Sequence, residues 1–259
     1  MPMKLSFVDT HCHIHMEEFD QDRDEVIRRA RQTGVVAIVT SSITRDGFWR
    51  ARRIVNSYQG YVHHSLGLDP SIVDFKIARE MMELAEEYYD KIIAIGEVGL
   101  DYWRVKDPGL RERQKLIFIE WIKLAKKLDK PIVVHSRSAG KYAIEILLRY
   151  SATRVLMHAF DGRPSRAKLG VLNGFYFSIP PSVNYSNQKM KLAKNIPLEN
   201  LVLETDSPVL APERGVRNEP ANIVYSARKI SELKGIELKE VAKATTRNAE
   251  ELYNMEFTA

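Results

Sequence analysis

The sequence predicts an α/β fold, a single (β/α)8 TIM barrel spanning residues 1–259. Three observations carry this expectation. Eight short apolar runs, rich in β-branched residues, recur along the chain. Amphipathic helical patterns lie between most of them. The length also matches the roughly 250 residues typical of such a barrel. Strands buried on both faces of a parallel sheet read as continuous apolar runs, and most of these do so.

The first run, 5–8, leads into Asp-Thr-His-Cys-His. An open doubly wound sheet would carry a glycine-rich phosphate loop there, so the barrel is the better reading. The second run is 35–39. The third, 61–68, is the least regular, because His63 and His64 interrupt it. Runs at 92–95, 131–134, 154–157, 174–179 and 201–203 complete the set. Helical periodicity covers 83–89, 110–128, 141–150, 187–194, 224–233 and 238–253. In 110–128, apolar positions such as Ile117, Ile122 and Ala125 are interleaved with Lys and Arg, as an outer barrel helix requires. Lys123, Lys126, Lys127 and Lys130 are read as its solvated face.

Composition excludes several classes. No Gly/Ser linker or low-complexity stretch appears. The lone Cys12 rules out an intrachain disulfide and a Cys-rich zinc module, and suits a reducing compartment. The first apolar run is broken at Asp9, too early for a signal peptide core or a membrane span. A cytoplasmic protein without membrane association is expected. The net charge of +5 is a mild bias that does not by itself identify a polyanionic partner.

The residues at the C-terminal end of each run carry the chemistry. His11 and His13 come after the first, Glu97 after the fourth, His135 after the fifth and His158 after the sixth; Glu204 and Asp206 come after the eighth. A barrel gathers the C-terminal ends of its strands on one face, so these distant residues would share one cup. Imidazoles and carboxylates suit zinc, manganese, iron or nickel. His-x-His at a strand end points both rings to the same side, because side chains alternate with period two. A lone strand-end histidine is more often a hydrogen-bonded structural residue, and His15, His63 and His64 are read that way. Cys12 faces away from the two histidines and is read as a small core residue.

The motifs VDTHCHIH (8–15), GEVGLDYWR (96–104), PIVVHSR (131–137), HAFDG (158–162), LETDSP (203–208), RNEP (217–220) and TRNAEELY (246–253) occur in this order. With them the whole chain resembles the TatD family of metal-dependent deoxyribonucleases. The resemblance implies an amidohydrolase-type barrel and hydrolysis of DNA phosphodiesters with two divalent cations, such as Mg, Mn or Zn. It implies that His11, His13, Glu97 and Asp206 hold one cation and that Glu97, His135 and His158 hold the other, with Glu97 bridging. Asp206 would also accept a proton from the attacking water, which makes Glu97 and Asp206 the expected catalytic carboxylates.

One position departs from the family. Its pattern has Gly-x-His-Pro after the third strand, whereas this chain has Gly67-Leu68-Asp69-Pro70. Asp69 is open to three readings: a substrate- or metal-facing carboxylate, a partner for an Arg, or a turn residue before Pro70.

Substrate contacts are expected from Arg137 and Arg163, with Arg45, Arg104, Arg214 and Arg217 in other loops, since the guanidinium fork suits phosphate. Tyr102 and Trp103 either stack bases or plug the barrel rim. Phe48 and Trp49 are read as packing residues. The expected activity is a metal-dependent deoxyribonuclease, a 3′–5′ exonuclease on single-stranded or frayed DNA. The competing reading is an ester or amide hydrolase of the same superfamily, such as a D-aminoacyl-tRNA deacylase, with RNA or aminoacyl-tRNA as the less expected partners. A nucleic-acid-binding scaffold with a relict site is disfavoured, because all six ligand positions are filled.

Overall fold

The computed structural model describes residues 5–257. Eight strands form one parallel sheet in sequential order: β1 (Phe7–Cys12), β2 (Val35–Ser42), β3 (Val62–Leu66), β4 (Ala94–Gly99), β5 (Ile132–His135), β6 (Val155–Met157), β7 (Tyr176–Ile179) and β8 (Leu201–Leu203). The seam between β8 and β1 is closed just beyond β8. The Asp206 amide donates to the His11 carbonyl at 2.9 Å, and the His13 amide to the Ser207 carbonyl at 2.8 Å. Side chains reinforce it: Thr10 Oγ1 donates to the Leu203 carbonyl, and Thr205 donates from both its amide and its hydroxyl to the Asp9 carboxylate. The result is the expected (β/α)8 barrel.

Around it lie α1 (Arg23–Gln32), α2 (Arg45–Ser57), α3 (Phe75–Glu87), α4 (Pro108–Lys127), α5 (Gly140–Arg149), α6 (Pro164–Val171), α7 (Asn187–Asn195), α8 (Ile223–Lys234) and α9 (Leu238–Tyr253). Local chemistry sets several starts. Asp74 accepts from the amides of Lys76 and Ile77, and Thr44 and Ser186 cap α2 and α7 in the same way. Asp107 accepts from the Leu110 amide, with Pro108 at the first helical position of α4. The helices that periodicity did not single out are α1, α2 and α6. Only Ala167 and Gly170 are buried in α6, too small a set for an apolar stripe, whereas α1 buries Val26, Ile27 and Ala30 on one face of an otherwise charged helix. Among the described residues, no helix is long and apolar enough to cross a membrane.

β1, β2, β4 and β5 extend further toward the functional end than their apolar runs predict, whereas β3 stops at Leu66, short of its run, and β6, β7 and β8 end where their runs end. β1 reaches Cys12 and β4 reaches Gly99, so His11 and Glu97 are strand residues rather than loop residues. Apolar patterning stops at the first charged side chain, but the backbone ladder does not. The main core packs the outer strand faces against the helices. A second cluster includes Val8, Val39, Ala94, Val133, Leu156 and Val202, joined by Leu252, Tyr253 and Phe257 at the chain's end. Phe257 packs against His63, near the start of β3, and so lies at the end opposite the C-terminal strand tips.

Candidate metal centre

β1 carries His11 next to its last residue, and His13 comes directly after the strand. Glu97 lies in β4, His135 ends β5, His158 comes just after β6, and Asp206 just after β8. Glycines let the strands come this close. Gly96 (φ +145°) and Gly99 (φ +143°) flank the Glu97 segment; a Cβ at Gly96 would lie 2.6 Å from Val133, and one at Gly99 only 2.1 Å from the His135 carbonyl oxygen.

All six predicted ligands converge, and they do so around the two oxygens of Glu97. His11 Nε2 lies 3.4 Å and His13 Nε2 3.5 Å from Glu97 Oε2, and each lies 3.5 Å from Asp206 Oδ1. On the other side, Glu97 Oε1 lies 2.6 Å from His135 Nδ1 and 3.7 Å from His158 Nε2. The two groups adjoin, because the His11 and His158 rings are 3.9 Å apart, and His11, Glu97 and His158 also have ligand atoms close enough to share an ion.

The residues fit a divalent cation. Tetrahedral ligands about 2.1 Å from a metal lie about 3.4 Å from one another, close to the spacing around Glu97 Oε2. His11 Nε2 is fully buried and has no hydrogen-bond partner, a costly arrangement unless something else satisfies its lone pair.

Surrounding groups aim the ring nitrogens. His13 Nδ1 donates to the Ser41 carbonyl at 2.7 Å, and His11 Nδ1 meets Ser41 Oγ at 3.0 Å. His158 Nδ1 donates to Glu204 Oε2 at 2.9 Å, which leaves Nε2 free to face the cluster. His135 is turned the other way, with Nε2 against Asp101 Oδ2 at 3.2 Å and Nδ1 toward Glu97. Such partners fix the imidazole tautomer and raise its basicity. Sequence reasoning left them unassigned. Glu204 was visible as a second carboxylate after the eighth run, and Asp101 lies within the GEVGLDYWR motif; Ser41 had no distinguishing signal.

Without a cation the cluster behaves as a lattice of ion pairs. Burial disfavours a charged His13, but hydrogen bonds to Asp206 and Glu97 outweigh it and push the ring up to about 9. His135 is likewise pulled down by burial and driven up to about 10 by Asp101 and Glu97. Burial opposes ionisation of Glu97 and Asp206, yet the surrounding imidazoles hold both carboxyls below the usual carboxylate range. The carboxylates are thus ready to bind a cation, whereas His13 and His135 must first lose a proton.

The cluster opens into a cavity of about 520 Å³ at the C-terminal strand ends. Arg104, Arg137, Asp69 and Lys189 line it. Arg137 is exposed and lies 3.8 Å above the ring of Trp103, which is 52% exposed. Tyr102 is buried against Arg111 and Tyr142, so the stacking reading does not hold for its ring and the packing reading does. Arg163 and Arg45 are exposed outside the cavity lining, Arg214 sits over Tyr185, and Arg217 is engaged by Asp22. The expected ring of arginines therefore reduces to Arg104 and Arg137. Asp69 combines two of its three readings: Oδ1 accepts from the Ser71 amide and hydroxyl, and Oδ2 pairs with Arg104 at 3.3 Å. His15 and His64 bond to Thr40 and Ser42, as structural histidines do.

Comparison with known proteins identifies the family of this chain. The family model for TatD related DNase matches residues 8–254. The chain is 43% identical over 263 residues to Deoxyribonuclease TATDN3 of Homo sapiens, covering 96% of this chain and 95% of that protein. It is 35% identical over 255 residues to the uncharacterized metal-dependent hydrolase YabD of Bacillus subtilis (strain 168), covering 95% and 98%. Among solved structures, YJJV, a TatD homolog from Escherichia coli K12, matches with a TM-score of 0.89 at 28% identity, covering 98% of this chain and 100% of that one. The chain belongs to the TatD-related DNase family and is a metal-dependent hydrolase acting on ester bonds.

Proposed function

We propose that this chain, working as a single cytoplasmic barrel domain, is a deoxyribonuclease that cleaves DNA phosphodiesters with a water activated between two divalent cations. The observation that carries this reading is Glu97, which presents one oxygen to His11 and His13 and the other to His135 and His158. Bound there, two divalent cations would supply the Lewis acidity that lowers the pKa of a water and polarises a phosphoryl group. His11, His13, Glu97 and Asp206 would hold the first, and Glu97, His135 and His158 the second. Asp206, whose Oδ1 lies 3.5 Å from both His11 Nε2 and His13 Nε2, would accept the proton of the attacking water. Arg137 offers its fork to a phosphate at the cavity mouth, and Trp103 beneath it offers an exposed face to a base.

A 3′–5′ exonuclease on single-stranded or frayed DNA is the specific form we favour. The cavity has the size of a small-ligand site, which suits a strand end better than an intact duplex. The direction of attack rests on the family resemblance. End-labelled single- and double-stranded DNA, incubated with the protein and Mg, Mn, Co or Zn, tests the proposal against chelated controls and against D-aminoacyl-tRNA. Metal-dependent shortening from the 3′ end is expected. Cleavage unaffected by excess chelator, or hydrolysis of the aminoacyl ester alone, would overturn it.

A further inference from the structure

We infer that Lys189 is a phosphate-binding residue of the same cavity, an inference that rests on the phosphodiesterase reading for its substrate. Lys189 lies in the first turn of α7 and is only 7% exposed, yet it lines the cavity together with His158 and Asp206. Its Nζ donates to the carbonyls of Ala159 (2.5 Å) and Phe160 (2.8 Å), the two residues after His158. Among the described residues no carboxylate comes within salt-bridge distance of it.

An ammonium has three N–H donors, and only two are used here. Burial pulls the Lys189 amine down to about 8, only partly offset by the more distant carboxylates of Glu204, Asp161 and Asp206, so a bound anion would stabilise its charged form. Positioning the 159–162 loop does not require that charge. The neighbouring Gln188 already holds it with a neutral amide, donating to the Phe160 carbonyl at 3.2 Å and the Gly162 carbonyl at 2.7 Å. The positive charge of Lys189 is therefore surplus to the clamp, and the remaining donor is available to a non-bridging oxygen of a phosphate bound in the cavity. No residue of the proposed cation cluster supplies a positive charge once its histidines are neutral ligands, so this ammonium offsets charge on the phosphoryl group from the barrel wall.

The test compares the full-length protein, Lys189→Gln and Lys189→Arg in the presence of Mn²⁺, measuring inorganic phosphate affinity, metal content, melting temperature and DNA turnover. Lys189→Gln keeps amide donors for the loop but no charge. We expect it to retain metal and melting temperature, to bind phosphate at least about 10-fold more weakly, and to lose about 30-fold or more in kcat/KM on DNA. Lys189→Arg should keep phosphate affinity within several-fold. Unchanged phosphate affinity in Lys189→Gln overturns the inference, as does a loss of metal or stability shared by both variants with phosphate affinity intact. Should Lys189→Gln fail to fold, acylation of Lys189 in the unsubstituted protein decides: phosphate protects the amine if the inference holds, and leaves its labelling rate unchanged if it does not. The two readings fail separately. Phosphate binding that depends on Lys189 in a protein that cleaves no DNA rejects the nuclease reading alone, and DNA cleavage indifferent to Lys189→Gln rejects this inference alone.

Discussion

Around Glu97 Oε2, the His11, His13 and Asp206 atoms make a compact set with spacings of 3.4–3.5 Å, all carried by the β1–β8 seam or by β4 and backed by Ser41. Around Oε1, only His135 and His158 approach, at the unequal distances of 2.6 and 3.7 Å, and His135 is half-buried at the cavity floor. The first half offers four side chains to a small cation and the second three, and every one of them except His11 lines the cavity. In metal enzymes a filled coordination shell holds its ion, whereas an open position is where water and substrate exchange. If two cations bind as proposed, the difference in ligand number predicts that the tighter ion sits at the seam and the exchangeable one at His135 and His158.

The largest effect should come from the residue that belongs to both halves. Glu97→Ala is expected to lower turnover on DNA by about 10³-fold or more, roughly 4 kcal/mol of barrier, and to empty both pockets. His13→Ala, which serves one half, should be less damaging. Metal content and turnover measured on both variants decide this, and two ions retained by Glu97→Ala would end the bridging assignment.

Chelator titration sharpens the contrast next. One equivalent of metal should leave at lower chelator concentration, with activity lost at that step and restored on add-back. Simultaneous release of both ions would show that the two halves do not differ in affinity.

Smaller effects should come from the supporting acceptors. Glu204→Gln, which weakens the acceptor behind His158, is expected to reduce affinity for the second ion by about 10–100-fold and spare the first. Ser41→Ala, which removes the hydroxyl beside His11, should weaken only the first ion. Each is read by metal titration, and the same ion weakened in both variants contradicts the division.

Asp69→Ala should do least. It cuts an exposed pair with Arg104 and a local turn, contacts that typically contribute about 0–1 kcal/mol. Turnover should change less than about threefold, with metal content intact; a lost ion would make Asp69 a ligand after all.

The convergence of the six candidate residues was legible in the sequence because barrel strands bring their C-terminal ends together, so a polar residue after an apolar run already has an address. β8 matches its predicted span, and α9 its predicted limits, because each is bounded by clear apolar periodicity. The strand-embedded positions of His11 and Glu97 were not legible, since a charged side chain interrupts an apolar run without interrupting its hydrogen-bond ladder. Helix α6 escaped because a helix that buries only two small residues leaves little periodic signal, whereas α1 and α2 bury residues at helical spacing (Val26, Ile27 and Ala30; Phe48, Ala51 and Ile54) among many charged ones and were overlooked.

What the sequence by itself determined is the inventory: eight strands, the histidines and carboxylates at their ends, and the family they resemble. Only the tertiary structure decided how Glu97 divides its two oxygens, which acceptor stands behind each imidazole, and which arginines reach the cavity. It also withdrew Tyr102 into the packing, engaged Asp69 with Arg104 and Ser71, and brought Lys189 of the helical stretch 187–194 to the cavity. The physical reason is that strand order sets which residues meet, a property carried by local pattern. Side-chain direction, burial and pairing depend on neighbours many tens of residues away, such as His158 with Glu204 and Asp69 with Arg104, and no local pattern encodes them.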